Sequence, residues 1–478
     1  MSSVEPAVVN NEQNSRAVFF ILAGLLVATF LFGGASRGDV QSLVVLRPLS
    51  AICFVVALFI AFGAAWRRQW QIMLFTATVV LLTVLHLVPL PPSMWQSLPG
   101  REPISRVFAV TGQPAPWLPL TMSPVAAWNA LFSLMGPLAA LFLALALPQR
   151  HSPTLLKLIL AIGMISALLG LLQAIGPMYG PLYLYRLTNY GTAVGLFANR
   201  NHQAIFLATL FPMLAAFAAL ADGRKERARF FRIAAVAAGA FLVPLMLVTG
   251  SRAGLLLGGV GILSCLWVYR PSSQAALTPK PEVRTRRTLG LLVGGVAGLG
   301  LTTVIVARAP AFQRLVELDP AQDLRFRAFP VIWDAIWSYF PYGSGIGSFV
   351  DAYKIVEPQA LLSPNYLNRA HNDVLEVAMV GGLPAMLLMI VAALFIGVAA
   401  WRMVRAKLTT GRTTPDERDR AIILGRAGVA ALLILALGSV ADYPLRVPSL
   451  SILLMVYAAF VVSGWHAAAT PPRGRSQN

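Results

Sequence analysis

Four short stretches concentrate the side chains that could do chemistry. The first, Gly195-Leu-Phe-Ala-Asn-Arg-Asn-His202, sets Asn199, Arg200, Asn201 and His202 side by side where an apolar run begins. Such asparagines cap helices and such arginines snorkel to a membrane surface. The same groups could instead hold a glycan or a phosphate, because helix N-termini and guanidinium groups favour anions. The second, Thr249-Gly-Ser-Arg-Ala-Gly254, places Arg252 in a very tight turn, with no other charge between Arg232 and Arg270. Arg252 is either a snorkelling anchor or a clamp for a lipid diphosphate, since forked donors match phosphate oxygens in pairs and stay protonated. The third stretch runs from Arg325-Phe-Arg327 through Trp333 to Pro341-Tyr-Gly-Ser-Gly-Ile-Gly347. Its glycines could turn backbone amides toward a ligand, or the whole could be a solvated loop with an amphipathic helix. In the fourth, Arg369-Ala-His-Asn-Asp-Val-Leu-Glu376, His371 could act as a general base near neutral pH or serve a structural role at a helix start. Asn372 and Glu376 lie four apart there and could pair. Asp39, close to Arg37, is either a second candidate base or a loop carboxylate paired with that arginine.

The elements that carry these groups follow from composition. Of 478 residues, 57% are hydrophobic and only 12% charged, about half the charge of an ordinary soluble domain. That excludes a disordered chain and argues against a water-soluble enzyme. Twelve apolar runs are long enough to cross a bilayer core of about 30 Å: 17–34, 47–65, 71–90, 126–147, 154–175, 202–221, 233–250, 253–269, 289–307, 374–400, 421–440 and 449–466. Backbone amides cannot stay unpaired in lipid, so the runs must be helices. The expected fold is an all-α polytopic membrane protein forming a single integral-membrane domain over 1–478. Transmembrane helices 1–9 occupy 17–307, a large loop 308–373, and transmembrane helices 10–12 occupy 374–466.

If every run crosses once, the polar segments alternate in charge. One side, termini included, holds 22 Lys/Arg and 8 Asp/Glu; the other holds 13 and 10 in more residues. The positive-inside rule makes the basic side cytoplasmic, with both termini there. The net charge of +19 thus points to anionic lipid, not to nucleic acid. The segment before Phe19 lacks the basic lead of a secretory signal, so the first helix is expected to be retained. Cys53 and Cys265 both lie inside apolar runs, which makes a disulfide framework unlikely on sequence grounds. All four stretches fall on the outer side, and His202 and His371 are two of only five histidines. The loop 308–373 is too long for a connector. Its aromatic and aliphatic residues at spacings of three and four predict an amphipathic helix over 326–340. The sequence contains no internal repeat, no Walker-type phosphate loop and no Cys/His metal cluster.

The order of these pieces resembles the bacterial O-antigen ligase and O-antigen polymerase superfamily of membrane glycosyltransferases. Gly195–His202, Gly250-Ser-Arg-Ala-Gly254, and Arg327 leading to Trp333 and Pro341–Gly347 carry the resemblance. A large outer loop ending in His371-Asn-Asp-Val-Leu-Glu-Val-Ala-Met-Val-Gly-Gly382 completes it. It covers about 185–400 in motif and the whole chain in topology. The resemblance implies an undecaprenyl-diphosphate-linked glycan donor, a glycan or lipid A-core acceptor, and metal-free, cofactor-free, inverting transfer on the periplasmic face of the inner membrane. It also implies that His371 activates the acceptor and Arg252 holds the diphosphate. Arg327 matches the arginine upstream of the Trp, and Arg200 falls in the Asn-rich motif; Arg325, Asn199, His202 and Asn372 are further substrate-binding candidates. After Gly382 the ligase pattern continues differently from Leu383-Pro384, which leaves ligase and polymerase both open. A transporter or flippase of lipid-linked sugars is the rival from another class. It would carry charges or broken helices at mid-membrane, whereas here the unusual residues gather on one rim.

Overall fold

The computed structural model describes residues 5–221, 225–269, 324–362, 367–408 and 415–471. Within them the chain is helical almost throughout. Helices α1 (Glu5–Phe32), α2 (Leu43–Ala57, continued by a π turn over Leu58–Phe62) and α3 (Gly63–Leu85) lead to two short helices, α4 (Pro92–Trp95) and α5 (Glu102–Thr111). Then come α6 (Pro124–Ser133), α7 (Met135–Ala146), α8 (Ser152–Ile175), α9 (Arg200–Ala219), α10 (Lys225–Thr249) and α11 (Arg252–Val268). The last group is α12 (Leu324–Tyr339), α13 (Phe349–Val356), α14 (Asp373–Arg405), α15 (Glu417–Ala441) and α16 (Pro448–Ala469). The only strands among the described residues, β1 (Pro89–Leu90) and β2 (Leu118–Pro119), form an antiparallel pair with Pro89 opposite Pro119.

Ten helical segments in the described residues are long and apolar enough to cross a membrane. They coincide with ten of the twelve expected runs. The eighth, α11, has 17 residues, about 26 Å at 1.5 Å per residue, just short of the hydrocarbon thickness. The ninth expected span, 289–307, lies outside the described residues, as does the first part of the large loop, 308–323. The amphipathic helix expected over 326–340 is α12; Ala328, Ile332, Ala335, Ile336 and Tyr339 form its buried face, against Ala370, Ala378, Met379 and Val380.

Helices α9 and α15 form the centre of the bundle. Their apolar windows are 89% and 83% buried, against 6% for α14, most of whose surface the described residues leave uncovered. Small residues allow the central contacts, as expected where packing rather than water exclusion holds helices together. A Cβ on Gly254 would lie 2.3 Å from the Ala204 methyl, and one on Gly261 would lie 2.6 Å from the Ala208 carbonyl. The start of α11 is therefore pressed onto the start of α9. Gly425 of α15 and Gly464 of α16 meet in the same way. Arg426, fully buried in α15, donates to the Met403 and Ala406 carbonyls and so caps the last turn of α14. Cys53 and Cys265 are both free thiols.

The polar segments beyond α3 and α12 lock to each other. The Ile346 N–H donates to His86 Nδ1 at 3.0 Å and Met122 N–H donates to the Ser344 carbonyl. His86 is 2% exposed. Burial, and secondarily the Arg101 guanidinium, pushes its pKa down to about 4. A neutral ring is thus built into the contact. Its stabilising share is complete above the ordinary value of about 6.5 and is lost as pH falls from 6.5 toward 4, on the order of 3 kcal/mol. Limited proteolysis of the reconstituted protein should show 324–356 becoming more cleavable across that window. His86→Gln, which cannot titrate, should show a flatter response; identical profiles would refute the linkage.

Candidate functional site

The site is built at the end of the bundle where α9, α11 and α14 begin and α15 ends. Asn199 caps α9 with its side chain, which accepts from the Asn201 N–H at 2.8 Å, so the capping role weighed from sequence holds for this residue. Arg200 is the first residue of α9, half-buried, and its backbone N–H donates to Asn189 Oδ1. The Asn201 side chain turns inward and donates to Asp442 Oδ2 at 2.6 Å. His202, 1% exposed, has its Nε2 3.9 Å from Asp442 Oδ1.

Asp442, itself 1% exposed, follows the last residue of α15 and is the hub of this cluster. Its Oδ1 accepts from the Tyr443 N–H at 3.0 Å and lies 3.4 Å from His371 Nδ1. The Tyr443 ring packs edge-on between two imidazoles, 4.8 Å from His371 and 5.2 Å from His202. His371 stands just ahead of α14 with φ +52°, the left-handed region that few non-glycine residues enter. Such strain persists only where surroundings over-determine it and is found disproportionately at functional sites. Here the next residue, Asn372, caps α14 by accepting from the Val374 and Leu375 N–H groups at 2.9 and 3.1 Å.

The expected Asn372–Glu376 pairing is corrected by this geometry. Capping takes Asn372, while Glu376 accepts from Arg369 Nη1 at 2.9 Å and from the Ala370 N–H, and sits 3.3 Å from Arg446 Nη2. Arg446 also reaches Asp373 at 3.2 Å. This network of two arginines and two nearly buried carboxylates clamps the 442–447 turn to the start of α14. Asp442 is thereby held against His371. Breaking one partner of so buried a pair typically costs about 3–5 kcal/mol.

The other candidates divide. Arg252 opens α11, where Ser251 accepts from the Gly254 N–H at 3.0 Å. Because Gly254 packs on Ala204, Arg252 lies at the same end of the bundle as His202, Asp442 and His371, and it is exposed. Arg327 is exposed on α12 and donates to the Ala360 carbonyl at 3.0 Å, a loop contact rather than one within the Asp442 cluster. The Arg325 side chain lies outside the described residues. Asp39 is exposed and held bidentately by Arg37 at 2.9 and 2.7 Å; that hydrogen-bonded guanidinium lowers its pKa, as the loop-pair alternative has it.

The glycine-rich run does not cradle a ligand with its amides. Ser344 and Gly345 donate instead to the Met379 and Val380 carbonyls, and Leu383 donates back to Pro341. These bonds compensate the ladder broken at Gly382, whose φ of +57° and ψ of −156° interrupt α14. A Cβ on Gly382 would fall 2.2 Å from the Pro341 carbonyl, so only glycine permits this approach.

Asp442, Tyr443 and Arg446 were not singled out from sequence. The signal was present: a five-residue stretch with a charge at each end, Asp442-Tyr-Pro-Leu-Arg446, squeezed between two apolar runs, is costly for the same reason as Arg252.

Residues 237–390 match the family model described as O-antigen ligase. The matched segment holds Arg252, Arg327, His371 and Asn372, whereas Asn201, His202 and Asp442 lie outside it. No curated protein matches the chain.

Proposed function

We propose, from the match of residues 237–390 to the O-antigen ligase family model, that the chain is a membrane glycosyltransferase of the ligase and polymerase superfamily that transfers a glycan from an undecaprenyl-diphosphate donor. Lipid-linked glycan chemistry is the general property of that superfamily. The observation that carries the finer reading is the meeting of His371 with buried Asp442 at the end of the bundle where Arg252 stands.

Asp442 Oδ1 lies 3.4 Å from His371 Nδ1 without a hydrogen bond between them. A small turn of the ring in the substrate complex would bring them into bonding geometry and leave Nε2 to take the proton of an acceptor hydroxyl, the carboxylate–imidazole logic of activated nucleophiles. The acceptor oxygen then bonds to the anomeric carbon as the carbon–oxygen bond to the diphosphate breaks. The electron pair leaves with the diphosphate, and displacement from the opposite face inverts that carbon. Arg252 meets the growing negative charge of the leaving group with paired donors. Arg200 stands at the same helix mouth for a secondary contact with the diphosphate, and Arg327 on α12 is a further candidate contact to the donor. The charge bias supports assigning this end to the periplasmic face of the inner membrane. A ligase adds the glycan to lipid A-core, and a polymerase adds it to another lipid-linked glycan; the length of the product distinguishes them.

The purified chain, reconstituted with lipid-linked glycan and acceptor, should form a new glycosidic linkage. Relocation of the donor across the bilayer without a new linkage would replace this function with that of a flippase.

A further inference from the structure

The opposite end of the bundle holds a different cationic feature. Where α8 and α15 begin, α9 ends and α10 begins, a cavity of about 260 Å³ is lined by Arg150, Lys157, Arg227 and Arg420. It is about one helix length from the Asp442 cluster, since Phe217 at its wall and His202 lie near opposite ends of α9. Among the described residues, no carboxylate lines it. Two acidic side chains near Arg420 in sequence are engaged elsewhere: Asp416 caps α15 through the Asp419 N–H, and Asp419 pairs with Arg418.

Packed contacts hold the cations in place. Arg150 donates to Ser15 Oγ at 2.9 Å, Arg420 to the Pro415 carbonyl at 3.0 Å, and the Arg227 guanidinium lies 5.6 Å from the centre of the Phe231 ring. Four like charges around one cavity repel unless an anion compensates them. Three helix N-termini, of α8, α10 and α15, point their positive ends to the same rim. Phe217 and Phe231 supply an apolar wall beside the charges, and neighbouring Phe230 is 65% exposed on the outside of the bundle.

We propose that this cavity is a binding site for the phosphate headgroup of an anionic phospholipid, with its acyl chains lying along the Phe217–Phe231 wall. The four clustered cations select the phosphate, and the apolar wall selects a lipid over a free anion. Basic pockets between transmembrane helices recognise such headgroups by the same combination. The site is independent of the glycan-transfer function, and its test does not use activity.

Delipidated full-length protein in detergent, titrated with phosphatidylglycerol or phosphatidylcholine, can be scored for bound lipid by native mass spectrometry. Phosphatidylglycerol should be retained preferentially by the wild type. Lys157→Gln combined with Arg420→Gln should weaken that binding roughly 30-fold, taking each basic group at about five- to sixfold in affinity. Arg67→Gln with Arg68→Gln removes the same charge from exposed residues outside the cavity and should leave retention unchanged. Equal weakening in both double variants, or equal retention of the two lipids by the wild type, overturns the proposal. So does complete displacement of phosphatidylglycerol by millimolar inorganic phosphate, which would make this a free-anion site. Should the Lys157/Arg420 variant fail to fold, the wild-type comparison of the two lipids and of the phosphate arm still decides.

Discussion

Replacing His371 by Ala should lower glycan transfer by about 10²–10⁴-fold, the usual worth of a positioned general base. Its imidazole touches no other titratable carboxylate as closely as Asp442, 3.4 Å away, and no second histidine is placed to substitute, since His202 is buried beneath the same aspartate. The loss should appear in turnover, because the histidine acts on the acceptor proton and not on donor capture. Asp442→Asn should reproduce much of the effect while leaving donor KM near its wild-type value. The amide keeps the shape but removes the negative charge beside His371 and one of the two acceptor oxygens that Asn201 and the Tyr443 N–H use. Membrane levels and melting behaviour of each variant must be normal for the comparison to count. Wild-type turnover in His371→Ala would remove the general base from the mechanism.

Arg252→Ala should cost about 10²–10³-fold in transfer, the scale of one lost donor to a developing oxyanion. Unlike the histidine variant, it should weaken donor binding as well as turnover, because the diphosphate is charged before and after the bond breaks. Arg252→Lys retains the charge but not the forked geometry, so it should recover only part of the loss. The residue is exposed and begins a helix whose cap comes from Ser251, so neither change should disturb packing. If the alanine variant bound donor and turned over normally, the diphosphate would have to be held elsewhere.

The membrane-spanning helices were legible because lipid imposes one rule on every run: about twenty apolar residues with internal hydrogen bonds. Arg252 and His371 were legible for a related reason, since a charge or proton carrier crowded by apolar sequence is expensive and seldom idle. The glycine-rich run was less so. Its composition permits either a ligand cradle or a backbone contact, and only the kink at Gly382 shows which carbonyls claim its amides. Asn372 and Glu376 have pairing distance along a helix, but the pairing is defeated because Asn372 caps the helix and Arg369 and Arg446 take Glu376.

Local rules of hydropathy and charge determined, by themselves, that this chain is a helical membrane bundle with its candidate site residues near helix mouths. The partnership of His371 with Asp442 was decided only in three dimensions. The two are 71 positions apart, and nothing local requires α14 to start where α15 ends. That meeting follows from small residues letting helices approach and from Arg446 bridging Asp373 and Glu376, contacts whose energy depends on distance through space and not along the chain.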